Sequence, residues 1–207
     1  MFGFHPDLNY QHNFKNARMK PPPLKALIWP ECPAGFDLNG LALVLFALPA
    51  GTRRSDARLL ARAVLREMTG RLLGQVELIE GSHGPQLTGV ASDIRISLSY
   101  AADKVLIGIS CGRALGVDIV QIDHIAEIEA LSRLYLPKAV CHSILEAAPD
   151  VRDENFAHAW AQMEACCKAL GLPLAEITLE REQAYTGCDL LNYQQINGYM
   201  MAVTIIP

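Results

Sequence analysis

The sequence predicts an α+β protein built from two similar halves, each a small antiparallel sheet packed with helices. An apolar run at residues 41–48 and partly alternating patterns at residues 96–99 and 105–110 indicate extended segments. A long amphipathic segment, residues 54–73, separates the first run from the others and has the periodicity of a helix. After residue 118 the pattern begins again, since helical segments are followed by further strand-like segments.

The chain is expected to divide into three parts. Residues 1–36 form an irregular N-terminal arm, because three consecutive prolines at 21–23 disfavour both helix and sheet. Residues 37–112 form the N-terminal half. Residues 113–207 form the C-terminal half, which carries the motifs that indicate a metal site.

Within the N-terminal half, the 54–73 helix is expected to have Ser55 or Asp56 near its cap and to end around Gly74. Residues 76–80 have a second strand pattern and lead into a turn-rich stretch at 81–92. The two alternating segments that follow are predicted to pair as a hairpin.

The C-terminal half is predicted to hold a strand, three helices and three more strands. These are, in order, a strand at 115–119, helices at 125–134, 137–147 and 156–170, and strands near 177, at 190–196 and at 199–205.

Composition limits the classes of function. With 207 residues, 51% of them apolar, the chain can bury a substantial core. A formal net charge of −4 argues against nucleic acid binding, which usually requires a basic surface. The longest apolar stretch, residues 41–50, is much shorter than the ~20 residues of a membrane-spanning helix.

The cysteines and the N-terminus indicate the compartment. Six cysteines are scattered without a Cys-x-x-Cys pair, which favours reduced thiols in a cytosol. The first twenty residues are too polar for the apolar core of a signal peptide. We therefore expect a cytoplasmic protein.

Four residues in two distant segments indicate a metal site. Asp118 is the lone acid of an extended Leu-Gly-Val-Asp-Ile segment, and Trp160, Glu164 and Lys168 recur every four residues along one face of a helix. Asp118 and Glu164 together suit a divalent cation such as magnesium, which takes oxygen ligands and is often held by one or two carboxylates and phosphate oxygens. Each residue alone has a structural explanation, as a turn cap, a helix ion pair or a core aromatic.

Two other signatures are absent. The sequence lacks a Walker A loop and Gly-x-Gly-x-x-Gly, which argues against P-loop enzymes and dinucleotide binders. The histidines at 83, 124, 142 and 158 have no metal-ligand spacing and are interpreted as surface or packing residues.

These segments give the chain a resemblance to the 4′-phosphopantetheinyl transferase superfamily, in its larger, two-half type. The family signature is Gly-x-Asp followed, after a long spacer, by Trp-x-x-Lys-Glu-Ala-x-x-Lys. Here Gly116-Val117-Asp118 precedes Trp-Ala-Gln-Met-Glu-Ala-Cys-Cys-Lys at 160–168 in the same order. A strand at 96–99, Ile-Ser-Leu-Ser, resembles the strand that ends in Ser-His in the family.

The resemblance implies a fold and a reaction. The fold is a pseudo-dimer of two α+β halves with the active cleft between them. The reaction transfers the 4′-phosphopantetheine arm of coenzyme A to a serine of an apo acyl or peptidyl carrier protein and releases adenosine 3′,5′-bisphosphate. Asp118 and Glu164 would hold Mg²⁺, Glu164 would also accept the serine proton, and Lys168 would neutralise the leaving phosphate.

The same resemblance implies a coenzyme A site. Ser99 and Tyr100 would line the diphosphate pocket together with Lys168. One of the arginines Arg53, Arg54 and Arg58 would meet the 3′-phosphate, since a guanidinium group matches phosphate oxygens. Arg54, Arg58, Arg62 and Arg66 recur every four residues along the 54–73 helix and form an arginine stripe. The stripe has two alternative interpretations, namely a solvated helix face and a contact surface for an acidic helix of the carrier. A monomer acting without nucleic acid or membrane is expected, in polyketide, peptide or fatty-acid biosynthesis.

Three positions depart from the family pattern. Val120 stands where the larger type has a second acid, and Met163 replaces the lysine that precedes the glutamate. Tyr100 replaces histidine, so a phenol stands in place of an imidazole. The smaller type also has Gly-x-Asp-Ile-Val, so two carboxylates completed by water have a precedent in the family.

Two alternatives follow from these departures. The first is a homologue of the same fold that binds coenzyme A or a carrier protein but is catalytically weakened. The second is a metal-dependent enzyme that acts on a different diphosphate, because a fold does not fix a function.

Overall fold

A computed structural model gives the structure of residues 26–37, 40–81, 84–88 and 93–206, without the side chains of residues 80, 84, 192 and 193. Most of the predicted N-terminal arm, including the three prolines, lies outside the described residues, as does His83.

A four-stranded sheet forms the first layer. Its strand order is β1-β2-β6-β5, and all neighbours are antiparallel except β1, which runs parallel to β2. The strands are β1 Leu27–Ile28, β2 Leu41–Ala47, β5 Ile94–Ala101 and β6 Lys104–Cys111. The predicted hairpin of β5 and β6 is confirmed. The prediction missed β1, because two residues are too few to produce a periodic pattern.

Helix α1, Arg54–Leu73, covers this sheet and has the predicted bounds. Its buried side chains include Ala61, Leu65 and Met68, and they pack on the apolar face that Val44 and Ile107 contribute from the sheet. Burial of these apolar side chains against the sheet stabilises the helix. Arg53 is the N-cap, and Ser55 and Asp56 lie within the first turn without capping the helix through their side chains.

A separate hairpin follows α1. Strand β3, Glu77–Gly81, pairs with β4, Gly84–Thr88, in antiparallel register. The sequence prediction of a turn-rich stretch from residue 81 was therefore wrong over β4. Gly84 and Pro85 suggested a turn, but a two-stranded hairpin accommodates a proline at the start of a strand.

The C-terminal part of the chain contains a three-stranded antiparallel sheet. Its order is β7-β9-β8, with the last strand in the centre. The strands are β7 Ala114–Gln121, β8 Asp189–Ile196 and β9 Tyr199–Ile206. All three correspond to predicted strands.

Four helices accompany this sheet. They are α2 Ile128–Tyr135, α3 Lys138–Glu146, α4 Pro149–Leu170 and α5 Leu179–Tyr185. Helix α4 begins seven residues before its predicted start at 156, because Pro149 occupies its first turn, where the missing amide hydrogen costs no helical bond.

The predicted strand near residue 177 was wrong. Ile177 lies in a connection, where its amide donates one hydrogen bond to the Leu134 carbonyl (2.7 Å). Thr178 then starts α5, since its hydroxyl accepts a hydrogen bond from the Arg181 amide (3.3 Å). The apolar residue at 177 therefore precedes a helix cap and does not belong to a sheet.

The architecture is α+β, with five helices and three small sheets among the described residues. The two larger sheets meet where β7 lies against β5, and the apolar core passes from Leu43 and Leu106 of one sheet to Val117 and Val203 of the other. No helix in the described part of the chain is long and apolar enough to cross a membrane.

Candidate active site

Gly116 brings helix α4 unusually close to strand β7. A Cβ atom at this position would overlap the carbonyl oxygen of Ala165 and would lie 2.7 Å from the Ala169 amide nitrogen. These obstacles are backbone atoms of the helix, so no side-chain movement relieves the overlap. The glycine of the Gly-x-Asp motif therefore permits α4 to pack directly on the strand that carries Asp118.

Asp118 is a buried carboxylate on β7, and one of its two oxygens accepts two hydrogen bonds. Its side chain is 4% exposed. Its Oδ1 atom accepts hydrogen bonds from the Ser99 hydroxyl (2.6 Å) and from Lys168 Nζ (2.6 Å). Its Oδ2 atom is buried and has no hydrogen-bond partner among the described residues. An unpartnered buried carboxylate oxygen is costly, so this atom indicates a missing ligand.

The three predicted residues of α4 lie in a row beside this carboxylate. The Trp160 indole donates to Glu164 Oε1 (2.8 Å), and Glu164 Oε2 lies 3.9 Å from Lys168 Nζ. Lys168 also donates to the Val117 carbonyl (3.0 Å) and thereby crosses from helix to strand. The sequence prediction of one face with an indole, a carboxylate and an ammonium group agrees with these contacts.

The electrostatics of Asp118 reflect this setting. Burial raises the pKa of its carboxyl group to about 6, and the neighbouring Glu164 charge acts in the same direction. The Lys168 ammonium and the Ser99 hydrogen bond oppose this rise in pKa but do not cancel it. Burial is thus the main cause of the raised pKa of Asp118, and one neighbouring ammonium group does not offset it.

The residues suit a hard cation with few protein ligands. Asp118 Oδ2 is unpartnered and Glu164 presents a second carboxylate close by, while Val120 in the same pocket offers no oxygen. Magnesium is commonly held by one or two carboxylates and keeps several waters. Within the described ranges no group of three or more His, Cys, Asp or Glu side chains could hold a metal, so a protein-only cage is not formed there.

A pocket of about 530 Å³ opens beside these carboxylates. Its walls come from α1, from the end of β5 and the turn after it, from β7 and from α4. The predicted site residues among its lining are Arg54, Ser99, Tyr100, Asp118, Glu164 and Lys168, with Trp160 beside them. Gln121 also lines the pocket, and no pattern in the sequence predicts this.

The arginines of α1 lie near one side of this pocket. Arg54 lines it directly. Tyr100 is 43% exposed, and burial raises the pKa of its phenol while the nearby Arg58 and Arg62 guanidinium groups lower it. Arg53 is exposed at the helix cap and is not among the lining residues. Three positive charges are thus clustered around the pocket and Tyr100.

Met163 faces away from the carboxylates. It is 4% exposed and packs with Phe156, Leu136 and Ile144 in the core that α2 and α3 form against α4. A lysine here would place an ammonium group among apolar side chains. The substitution Met163→Lys is therefore expected to destabilise this core, because nothing in it offsets the lost hydration of the charge.

Comparison with known proteins gives a family match for the segment that carries the site. Residues 114–196 match the family model described as the 4′-phosphopantetheinyl transferase superfamily. No curated protein matched the chain. The resemblance stated from the sequence is confirmed for this segment, which includes Asp118, Glu164 and Lys168, whereas Arg54, Ser99 and Tyr100 lie outside it.

Proposed function

We propose that this chain, which carries a 4′-phosphopantetheinyl transferase superfamily domain, transfers the phosphopantetheine arm of coenzyme A to a serine of an apo acyl or peptidyl carrier protein. The observation that supports this most strongly is the Asp118 carboxylate. One of its oxygens is held by Ser99 and Lys168, and the other is buried without a partner beside a pocket of about 530 Å³.

The proposed architecture is a pseudo-dimer with the active cleft between its halves, divided at residues 112 and 113. Two observations support the cleft. The pocket is lined from both larger sheets, and β5 and β7 lie side by side beneath it. The family match begins at residue 114, which agrees with the start of the proposed C-terminal half.

A divalent cation, Mg²⁺, fits the site and would be held by Asp118 and Glu164. When bound, it supplies positive charge that stabilises the diphosphate as charge develops on the oxygens during transfer. The unpartnered Asp118 Oδ2 atom is the ligand that the structure favours most. Two protein carboxylates leave the remaining positions to water and to substrate oxygens.

Lys168 is proposed to act on the diphosphate. Its ammonium group contacts Asp118 Oδ1 and lies at the pocket surface, with 29% of its side chain exposed. In the proposed reaction it donates hydrogen bonds to the phosphate that leaves with adenosine 3′,5′-bisphosphate. Since Met163 is buried elsewhere, Lys168 carries the neutralising role that the family pattern divides between two lysines.

Glu164 is proposed to accept the proton of the carrier serine. The serine oxygen forms a bond to the β-phosphorus of coenzyme A, the bond from that phosphorus to the oxygen shared with the α-phosphorus breaks, and the hydroxyl proton passes to Glu164. Trp160 holds Oε1 of this carboxylate through its indole N–H, and Oε1 would also be the oxygen that contacts the cation, since a carboxylate oxygen has two lone pairs. Oε2 would then accept the proton in this proposal.

The coenzyme A site is proposed to extend from Lys168 past Ser99 and Tyr100 to the arginines of α1. Arg54 lines the pocket, and the charge of Arg58 acts on Tyr100, which supports contact of these arginines with a phosphate group. Arg53 is the N-cap residue of α1 and does not line the pocket, so it has the least support of the three candidates. The exposed remainder of this stripe is the proposed contact for an acidic carrier helix, with the protein acting as a cytoplasmic monomer.

The experiment that tests this function is intact mass spectrometry of a panel of apo carrier proteins incubated with coenzyme A, Mg²⁺ and the protein. We expect a mass gain of one phosphopantetheine that is absent when Asp118→Ala replaces the wild type. A panel without any mass gain would contradict the transferase. Coenzyme A binding without transfer would then identify the weakened homologue of the same fold.

A further inference from the structure

Two serines of β5 join it to β7 in place of an ordinary backbone ladder. The Val117 amide donates to Ser97 Oγ (2.9 Å), and the Ile119 amide donates to Ser99 Oγ (3.2 Å). Both serines are buried, at 6% and 5% exposed, and they lie two residues apart on one face of the strand. Their hydroxyl oxygens thus satisfy alternate amides on β7.

Only one of these serines also contacts the carboxylate of Asp118. The Ser99 hydroxyl donates its single hydrogen to Asp118 Oδ1 at 2.6 Å while its oxygen accepts from the Ile119 amide. A serine hydroxyl has one hydrogen to donate. The donor capacity of Ser99 is therefore already used within the protein, and none remains for a phosphate oxygen.

The consequence lies in the orientation of the carboxylate. Ser99 and Lys168 both hold Oδ1, one from the neighbouring strand and one from the packed helix. These two directions fix the plane of the Asp118 carboxylate. The fixed plane leaves Oδ2 as the oxygen without a partner.

We propose that Ser99 is a positioning residue for the cation site, and that it acts through Asp118 without touching coenzyme A. This inference rests on the proposed function and replaces the role that the family resemblance implied for this serine. A hydrogen-bond partner of a metal ligand orients that ligand, and its loss typically lowers metal affinity by roughly 10- to 100-fold.

Ser97 supplies a matched control. Ser97→Ala and Ser99→Ala each remove one buried hydroxyl and one bond from a β7 amide, so both variants should melt at lower temperatures than the wild type. Only Ser99→Ala removes the bond to Asp118. A difference between the two variants in cation binding therefore reports on the carboxylate and not on the loss of strand contact.

The experiment measures binding of Mn²⁺ to the protein alone, followed by the electron paramagnetic resonance signal of the free ion. We expect Ser99→Ala to bind Mn²⁺ at least about tenfold more weakly than the wild type. We expect Ser97→Ala to bind it within about twofold of the wild type, and Ser99→Thr, which keeps a hydroxyl, to bind more tightly than Ser99→Ala. In transfer assays, Ser99→Ala should raise the Mg²⁺ concentration for half-maximal rate and leave the KM for coenzyme A unchanged.

The outcomes separate this inference from the proposed function. Wild-type binding of Mn²⁺ with equal affinities in Ser97→Ala and Ser99→Ala would overturn the positioning role and leave the transferase intact. A raised KM for coenzyme A with unchanged Mn²⁺ affinity would show direct contact with the substrate and would also overturn it. Failure of the wild-type protein to bind Mn²⁺ would overturn both the cation site and the role of Ser99.

Discussion

The two long helices pack on their sheets in different ways. Helix α1 is separated from the four-stranded sheet by large side chains such as Leu65 and Met68, which fill the space between backbone and strand. Helix α4 presents a row of small residues to the three-stranded sheet, namely Ala157, Ala161 and Ala165.

At Gly116 the backbone of α4 comes so close to β7 that no side chain fits between them. The short separation has a functional consequence. Glu164 and Lys168 project from α4 next to Asp118, and Lys168 reaches both the Val117 carbonyl and the Asp118 carboxylate. The arginines of α1, in contrast, lie on the exposed side of a conventionally packed helix and reach only the edge of the pocket. The close packing of α4 on β7 thus brings Glu164 and Lys168 next to the buried Asp118. Helix α1, which packs conventionally, contributes positive charge only at the exposed edge of the pocket.

The largest effect on the transfer rate is expected when the buried carboxylate of Asp118 is removed. Asp118→Asn keeps the shape of the side chain but removes the charge that holds a cation and pairs with Lys168. We expect the transfer rate to fall by a factor on the order of 10³, since electrostatic groups at a reacting centre have effects of this size. Mass-spectrometric initial rates measure it. A rate within tenfold of the wild type would show that the reaction does not need this carboxylate.

Gly116→Ala tests whether the close packing of α4 on β7 is needed for stability and for transfer. Its added methyl group meets the backbone of α4, so the helix must move away from β7. We expect the free energy of unfolding to fall by about 3 kcal/mol and transfer to be lost with it. Urea titration followed by Trp fluorescence gives the free energy.

Gly70→Ala in α1 is the matched control for this substitution. A Cβ at residue 70 meets nothing within 4 Å, and alanine favours a helix over glycine. We expect a gain of about 0.5 to 1 kcal/mol in the free energy of unfolding. Equal losses of stability at the two glycines would remove the contrast between the helices.

Asp118 should also make stability depend on pH. Because its pKa is raised from 3.8 to about 6, the folded state binds a proton more tightly than the unfolded state. Stability must therefore fall as pH rises from about 4 to about 6, by roughly 3 kcal/mol for this difference in pKa. Without added metal, the free energy of unfolding of the wild type, relative to Asp118→Asn, should decrease over this interval.

Asp103 should change stability with pH in the opposite direction and serves as the control. Its exposed carboxylate contacts Lys104 (2.8 Å) and Tyr199, and these hydrogen bonds hold its pKa below the usual value. Its contribution is present above the unfolded-state pKa and is lost as pH falls through the folded-state pKa. The stability of the wild type relative to Asp103→Asn should therefore rise slightly as pH increases through the acid range, where its stability relative to Asp118→Asn falls. The same pH trend for both substitutions would show that burial does not govern the pKa of Asp118.

The smallest effect on activity is expected when the surface arginines of α1 are replaced. Arg54→Ala should raise the KM for coenzyme A about fivefold, which corresponds to about 1 kcal/mol for an exposed charge contact. Arg66→Ala, on the same stripe but outside the pocket lining, should leave the KM unchanged. Equal changes in both variants would indicate general attraction by the stripe and not a site at Arg54.

Much of the fold could be predicted from periodic patterns. The bounds of α1 were predicted to the residue, and β7, β8 and β9 were recognised from apolar runs. The failures were β1, β4, α5 and the segment at Ile177, where short elements or a helix cap contain too few residues for a periodic pattern. These elements depend on tertiary contacts and on capping, which a pattern of apolar residues does not record.

Periodic patterns also predicted part of the site. Trp160, Glu164 and Lys168 could be placed on one face because helix geometry fixes their spacing. The second contact of Ser99 and the contact of Ser97 were not predictable, since they join β5 to β7 across two sheets. The burial of Met163 was missed as well, because nothing in the sequence shows that α2 and α3 cover that side of α4.

The most direct test of the proposed site is anomalous diffraction from crystals grown with Mn²⁺ and coenzyme A. We expect an anomalous peak at about 2.1 Å from Asp118 Oδ2, with a Glu164 oxygen and diphosphate oxygens among the other ligands and Ser99 still bonded to Oδ1. A coenzyme A molecule bound in the pocket without a peak at Asp118, or a peak that excludes Asp118 from its ligands, would contradict the cation site on which the proposed reaction depends.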